Sequence, residues 1–289
     1  LNILTVDVED YFHVSALANS IKRDDWDKCE CRVERNTHAL LDLFDQHTVK
    51  ATFFVLGWVA ERYPVLVKEI VQRGHEVASH GFSHRLVYEQ DPATFRDETL
   101  RSKVLLEDLA QQPVRGYRAA SYSITKKSLW ALDILCELGF EYDSSIYPVY
   151  HDRYGIPDAR REPHVCQAPG GASIAELPLS YFNLAGARVP ISGGGYFRLF
   201  PYWFTRECIK SVNTKDHLPV IFYLHPWEID AEQPRIKASL LSRFRHYNNL
   251  EKCFERLDNL LGDFEFVTAS AYLESTGFLK SATREGRAA

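Results

Sequence analysis

The residues best placed to do chemistry are a run of carboxylates and three histidines. TVDVED puts Asp7, Glu9 and Asp10 within four positions, and carboxylates this close repel one another unless a bound cation or an arginine relieves them. An acidic turn in water is the plain alternative. SHGFSHR sets His80 and His84 four apart, which on one helical turn brings both imidazoles to the same side, and neutral imidazole is a favoured zinc ligand. Surface helices also carry such pairs by chance. YLHPWE ends an apolar run on His225, either a satisfied core residue or a rim residue able to exchange a proton near neutral pH. Arg118 in GYRAASYS could hold a carboxylate ionised, and Asp143 in EYDSSIYP could orient a histidine. Taken singly, either is more often a structural ion-pair partner. Two histidines and one carboxylate with open coordination positions describe a catalytic metal site rather than a closed structural one.

These residues need a frame that gathers them. Short apolar runs alternate with helical patterns, which predicts an α/β fold with a parallel sheet or barrel. Strands are expected at 3–6, 51–56, 75–78, 176–179, 220–224 and 264–267, and helices at 34–47, 59–73, 92–109, 125–138 and 244–261. The acidic run, the histidine pair and His225 then all follow strand ends on one rim, where α/β folds build their active sites. Residues 147–201 are rich in Gly and Pro and include the triplet Gly193, Gly194 and Gly195. They read as an insertion, a long loop or hairpin over one face, rather than a domain boundary. The expected organisation is one domain over 1–275, with a C-terminal extension at about 228–275. A disordered tail at 276–289 ends in the apolar-poor KSATREGRAA.

Composition narrows the function. The 289 residues are 45% hydrophobic and 25% charged, as in a folded globular protein, and the net charge of -5 argues against nucleic acid or an anionic membrane surface as the main partner. No apolar run approaches the ~20 residues of a spanning helix. The six cysteines are mostly scattered, and LNILTVDVED lacks the features of a secretory signal. Both points lead us to expect a reducing, cytoplasmic setting. No methionine occurs, so the translation start is not in this sequence.

In order, TVDVED, KATFFVLG, SHGFSHR, GYRAAS, YDSSIY and YLHPW resemble the motif series of the NodB-homology polysaccharide deacetylases, carbohydrate esterase family 4. The resemblance spans about residues 1–226. Within that family it is most similar to the exopolysaccharide-locus deacetylases, through the DVEDYF opening, the SGGGYFR segment and the C-terminal extension. It implies a distorted (β/α)7-type barrel, a divalent metal usually taken to be zinc, and removal of acetyl groups from N-acetylated sugars. By motif position, Asp7 would be the base, His225 the acid, Arg118 the partner of the base and Asp143 the carboxylate that orients His225. His80 and His84 would bind the metal. The usual adjacent Asp pair is spread here, so either Glu9 or Asp10 would supply the third ligand, and the two stay open. Ala120, Tyr147 and Tyr223 replace the family's proline, tryptophan and leucine. A backbone N–H near Ser121 or Tyr122 would hold the oxyanion. Trp227 is expected to line the acetyl pocket and Tyr147 to stack on a sugar, as Tyr150, Tyr181, Phe182, Tyr196 and Phe197 could. Arg198 is expected to touch an anionic or lipid-linked saccharide. Rival readings are a hydrolase of cyclic amides or ureides, an O-acetyl esterase, and a silent saccharide-binding barrel.

Overall fold

NILTVDV is buried along its whole length as β1 (Asn2–Val8), which requires cover on both faces and suits the middle of a parallel sheet. The computed structural model, which describes residues 1–279, supplies that cover. The remaining sheet strands are β2 (Thr52–Val55), β3 (Glu76–Ser79), β4 (Gly116–Tyr117), β5 (Tyr142–Asp143), β6 (His164–Gln167), β7 (Ser173–Glu176), β10 (Ile221–Leu224) and β11 (Phe266–Val267). Seven of these lie parallel in the order β10-β1-β2-β3-β4-β5-β7, with β6 antiparallel on β7 and β11 against the start of β1. β8 (Tyr181–Leu184) and β9 (Ala187–Pro190) form a separate hairpin, whereas β6 and β7 place part of the stretch expected as an insertion in the main sheet.

The two ends of this curled sheet are drawn together by irregular backbone from the insertion. Leu179 N–H donates to the Ile146 carbonyl at 3.0 Å, Ile191 N–H to Ser180 at 3.4 Å and Tyr223 N–H to Ser192 at 2.6 Å. Gly193 makes the last approach feasible: its φ is 125°, and a Cβ there would sit 1.9 Å from the Tyr223 carbonyl oxygen. A side chain cannot be accommodated at that distance or that φ. The glycine triplet therefore docks the insertion onto β10. The result is the α/β, (β/α)7-type half-barrel expected from the sequence, with its buried apolar residues in two clusters.

The helices are α1 (Val33–Gln46), α2 (Gly57–Arg62), α3 (Pro64–Gln72), α4 (Pro92–Ala110), α5 (Trp130–Glu137), α6 (Gly194–Leu199), α7 (Tyr202–Lys215), α8 (Leu240–Tyr247), α9 (Leu250–Asp263) and α10 (Ala269–Ser275). The helix expected at 59–73 is two, because Pro64 disfavours helical backbone at Tyr63. The one expected at 244–261 is also two, broken where Asn249 takes a left-handed φ of 49°. β4 and β5, two residues each, had no expected strand, and the strand expected at 176–179 lies at Ser173–Glu176. After α10 the chain turns back, Leu279 N–H donating to the Leu273 carbonyl at 3.1 Å, so packing continues through Leu279. Residues 280–289 of the expected tail lie outside the described residues. Among the described residues no helix is long and apolar enough to cross a membrane.

Candidate active site

β1 ends at the rim, carrying Asp7 and then Glu9, both 2% exposed. Glu9, His80 and His84 place one ligand atom each within 4.8 Å of one another, all buried. His80 Nδ1 lies 2.8 Å from the Arg118 carbonyl. A carbonyl can only accept, so Nδ1 carries the proton and Nε2 keeps its lone pair for a metal. Burial pulls the His80 pKa down to about 4, which keeps the ring neutral. Glu9 Oε2 faces His84 Nε2 at 2.7 Å, yet it is buried without an aligned hydrogen bond. Burial works against the Glu9 charge, but His84 and His225 hold its carboxyl below the usual carboxylate range. An ionised, unbonded carboxylate oxygen beside two imidazole nitrogens is a donor set that fits a divalent cation such as zinc.

The histidines are not on a helical turn, as their spacing had suggested. Residues 80–85 form a loop in which Gly81 and His84 have φ of 72° and 51°. Gly57 and Trp58 at the start of α2 pin it, donating N–H bonds to the Gly81 and Phe82 carbonyls at 2.8 and 2.9 Å. The ring centroids stand 5.4 Å apart.

Asp7 is held by Arg118, whose Nη1 donates to Asp7 Oδ1 and to Thr5 Oγ1, each at 2.7 Å. Ser144 takes the rest of the guanidinium, its carbonyl accepting from Nε at 3.1 Å and its hydroxyl from Nη2 at 2.9 Å. This leaves Asp7 Oδ2 facing His225 Nε2 at 3.9 Å. His225 Nε2 also lies 3.4 Å from Glu9 Oε1. Glu9, His80, His84, Asp7 and His225 therefore converge, although they come from distant parts of the chain.

The partner of His225 is Glu228 rather than Asp143. Glu228 Oε2 accepts from His225 Nδ1 and from its backbone N–H, both at 3.0 Å, and Glu228 Oε1 accepts from Arg198 Nε at 2.7 Å. Burial alone would lower the His225 pKa, but Glu9 and Glu228 push it up to about 9. Burial opposes the Glu228 charge too, yet Arg198 and His225 bring that pKa down to about 2. Arg198 is 1% exposed and spends its other donors on the carbonyls of Arg245, His246 and Asn248 at the end of α8. It is a clamp between α8 and the His225 partner, and it also lies in the cavity lining.

Asp143 lies deep in the barrel, where its carboxylate accepts from Ser145 Oγ at 2.6 Å and shares a buried site with Glu176. Burial raises both pKa values, Asp143 to about 6. It does not reach His225 because β5 lies five places along the sheet from β10, the strand that His225 follows. Asp10 turns away as well: Oδ2 accepts from the N–H groups of Arg32 and Val33 at 2.5 and 2.8 Å, and Oδ1 from that of Tyr11 at 2.8 Å. It caps the start of α1, so of the two open ligands only Glu9 faces the histidines.

A cavity of about 420 Å³ opens over this cluster, lined by Asp7, Glu9, both histidines and His225 together with Ser121, Tyr122, Tyr154, Tyr196, Trp227 and Phe244. Tyr122 N–H is spent on the Ala119 carbonyl at 3.0 Å, which leaves the Ser121 side of the turn for an oxyanion. Ser121 and Tyr122 both have left-handed φ, 50° and 54°, at this turn. Trp227 stacks between His225 and His246, and its Nε1 points to Glu9 Oε1 at 3.4 Å. Tyr147 sits behind Tyr154, ring parallel at 5.8 Å, and Tyr154 is the ring that faces the cavity. Sequence reasoning missed Glu228, Tyr154 and His246. The signal for Glu228 was the carboxylate three residues past His225 in HPWE.

Comparison with known proteins bears on this arrangement. Residues 24–142 match the family model described as polysaccharide deacetylase, and residues 144–274 match a domain of unknown function, DUF3473. A chitooligosaccharide deacetylase of Bradyrhizobium sp. (strain ANU 289) is 34% identical over 99 residues, 34% of this chain and 43% of that protein. A peptidoglycan-N-acetylglucosamine deacetylase of Bacillus cereus is 34% identical over 98 residues, 34% of this chain and 36% of that protein. The chain thus spans less than half the length of these curated relatives. Among solved structures, a Mycobacterium smegmatis protein assigned to the polysaccharide deacetylases aligns with a TM-score of 0.61 at 19% identity, over 95% of this chain and 90% of that one. That likeness speaks for the fold. Family model and curated relatives together show a similarity to polysaccharide deacetylases that covers less than half of this chain.

Proposed function

We propose that this protein is a metal-dependent hydrolase that removes N-acetyl groups from N-acetylated sugars of a polysaccharide, an exopolysaccharide or its precursor, releasing acetate. The observation that carries this reading is the convergence of Glu9, His80 and His84 with the Asp7–Arg118 pair and the His225–Glu228 pair on one cavity. A divalent cation, zinc by the donor set, would be held by Glu9, His80 and His84. When bound it would lower the pKa of a water and polarise the acetyl carbonyl.

The chain's own groups do the proton work. Asp7 Oδ2, the oxygen not taken by Arg118, accepts a proton from the water as its oxygen attacks the acetyl carbon. A backbone N–H at Ser121 faces the oxyanion that develops. As the C–N bond breaks, His225 Nε2 gives its proton to the sugar nitrogen, which leaves as a neutral amine. Glu228 keeps the imidazole charged and oriented until then. Tyr154 and Tyr196 offer faces on which a sugar ring can stack.

The test is acetate release from N-acetylhexosamine oligomers by the metal-loaded protein, beside ring-opening of a small ureide and deacetylation of an O-acetyl ester. Acetate from the oligomer alone supports the reading. Turnover of the ureide or ester in its place would overturn it, and no turnover of any would favour a silent saccharide-binding barrel.

A further inference from the structure

We propose that α8 and the segment leading into it form a docking surface for an anionic phospholipid bilayer, which sets the cavity mouth against the membrane. Leu240, Leu241 and Phe244 are 83%, 58% and 55% exposed. Three large apolar side chains so exposed on one short helix contrast with the same helix's inner side, where His246 is buried on Trp227. The bare side has the wrong chemistry for water and the right one for an interfacial helix.

Charge identifies the occupant. From residue 234 to 250 the chain carries Arg235, Lys237, Arg243 and Arg245 and no Asp or Glu. All four are exposed. This local +4 sits in a protein of net charge -5. Asp152, 3.8 Å from Arg245, faces the patch from the neighbouring loop, where Arg153 at the same mouth offsets it, and the exposed Glu232 and Glu251 flank the stretch in sequence. Basic residues interleaved with exposed leucine and phenylalanine match an anionic headgroup layer over an apolar interior. The surface is also presented rigidly, because Arg198 grips the carbonyls at the end of α8 from inside. Leu241 and Phe244 line the cavity as well as the bare face, so a bilayer seated on α8 borders its entrance.

The test uses the full chain and does not depend on the proposed activity. Sucrose-loaded vesicles of phosphatidylcholine alone, and of equimolar phosphatidylcholine and phosphatidylglycerol, are sedimented with the protein at low and high salt. Binding is expected to the anionic vesicles, and to fall with salt. Arg243→Gln should weaken it about fivefold, and Arg235→Gln, Lys237→Gln and Arg243→Gln together about a hundredfold. Leu240→Ser should weaken it about tenfold. None of these four residues lines the cavity, and unchanged circular dichroism and thermal midpoint will show that the fold is intact. Equal sedimentation with both vesicle types, or anionic binding that the substitutions leave untouched, overturns the proposal. So does a dimer seen by light scattering that Leu240→Ser dissociates while vesicles bind nothing, since the face would then belong to a second copy.

Discussion

Glu228→Gln separates the two carboxylates that could serve His225. The change keeps the volume and an acceptor oxygen but removes the charge. Arg198, 1% exposed, then has no carboxylate beside it, and a buried charge that loses its partner costs about 3–5 kcal/mol. His225 loses one of the three carboxylates, Glu9, Glu228 and Asp7, that raise its pKa from 6.5 to about 9. A histidine whose pKa is raised in the folded state gains stability from its partners that is complete below about pH 6.5 and lost as the pH climbs through about 9. For this shift the gain is on the order of 3 kcal/mol. Melts of the chelated variant should therefore show a lower midpoint and a flatter pH dependence across that window. With metal restored, kcat for acetate release should fall roughly 100- to 10,000-fold, and its alkaline limb should move to lower pH. Asp143→Asn is the control: no contact joins it to His225, so it should alter stability and leave the alkaline limb in place. Wild-type kcat and limb in Glu228→Gln, with a displaced limb in Asp143→Asn, would refute the assignment.

Asp7→Asn should reduce kcat by about 100-fold or more, and should lower stability because Arg118 is left charged and buried. Glu9→Gln should lose bound metal, measured by elemental analysis. Asp10→Asn should keep it and lose about 1 kcal/mol in a denaturant titration, as a weakened helix cap does. Chelation should abolish acetate release, and zinc should restore it. Burial holds the Asp143 and Glu176 carboxyls protonated in the fold, Asp143 up to about 6. The folded state then binds protons that the unfolded chain has released, so stability should decline from about pH 4 through 6 and beyond. Glu176→Gln should flatten that decline in thermal melts taken across the same range.

Much of the barrel was legible because buried parallel strands are written as apolar runs. β1, β2, β3 and β10 announce themselves this way. β4 and β5 do not, since two residues each carry no periodicity, and their pairing depends on neighbours far along the chain. At the site, strand ends located Asp7, His80 and His225 correctly, as rim positions follow from the strands alone. Residue type could not choose between Glu9 and Asp10. The choice was made by α1, whose unpaired N–H groups claimed Asp10. Asp143 and Arg198 have partners, Glu176 and Glu228, that lie 30 or more positions away, which local spacing does not reveal. Whole-chain charge says nothing of local patches, because -5 averaged over the sequence conceals the acid-free stretch at 234–250.

The position of β1 limits how such a chain can be rearranged. Asp7 and Glu9 precede both matched segments, yet β1 lies between β2 from the first and β10 from the second. Three stretches distant along the chain therefore meet at one cluster of side chains. A chimera that borrows either half from a relative must preserve the register Val6 to Leu224 on one side and Asp7 to Phe54 on the other. A slip of one residue would turn Asp7 to the opposite face of the sheet. For design by recombination the indivisible unit is the sheet, and crossovers belong in the helices outside it.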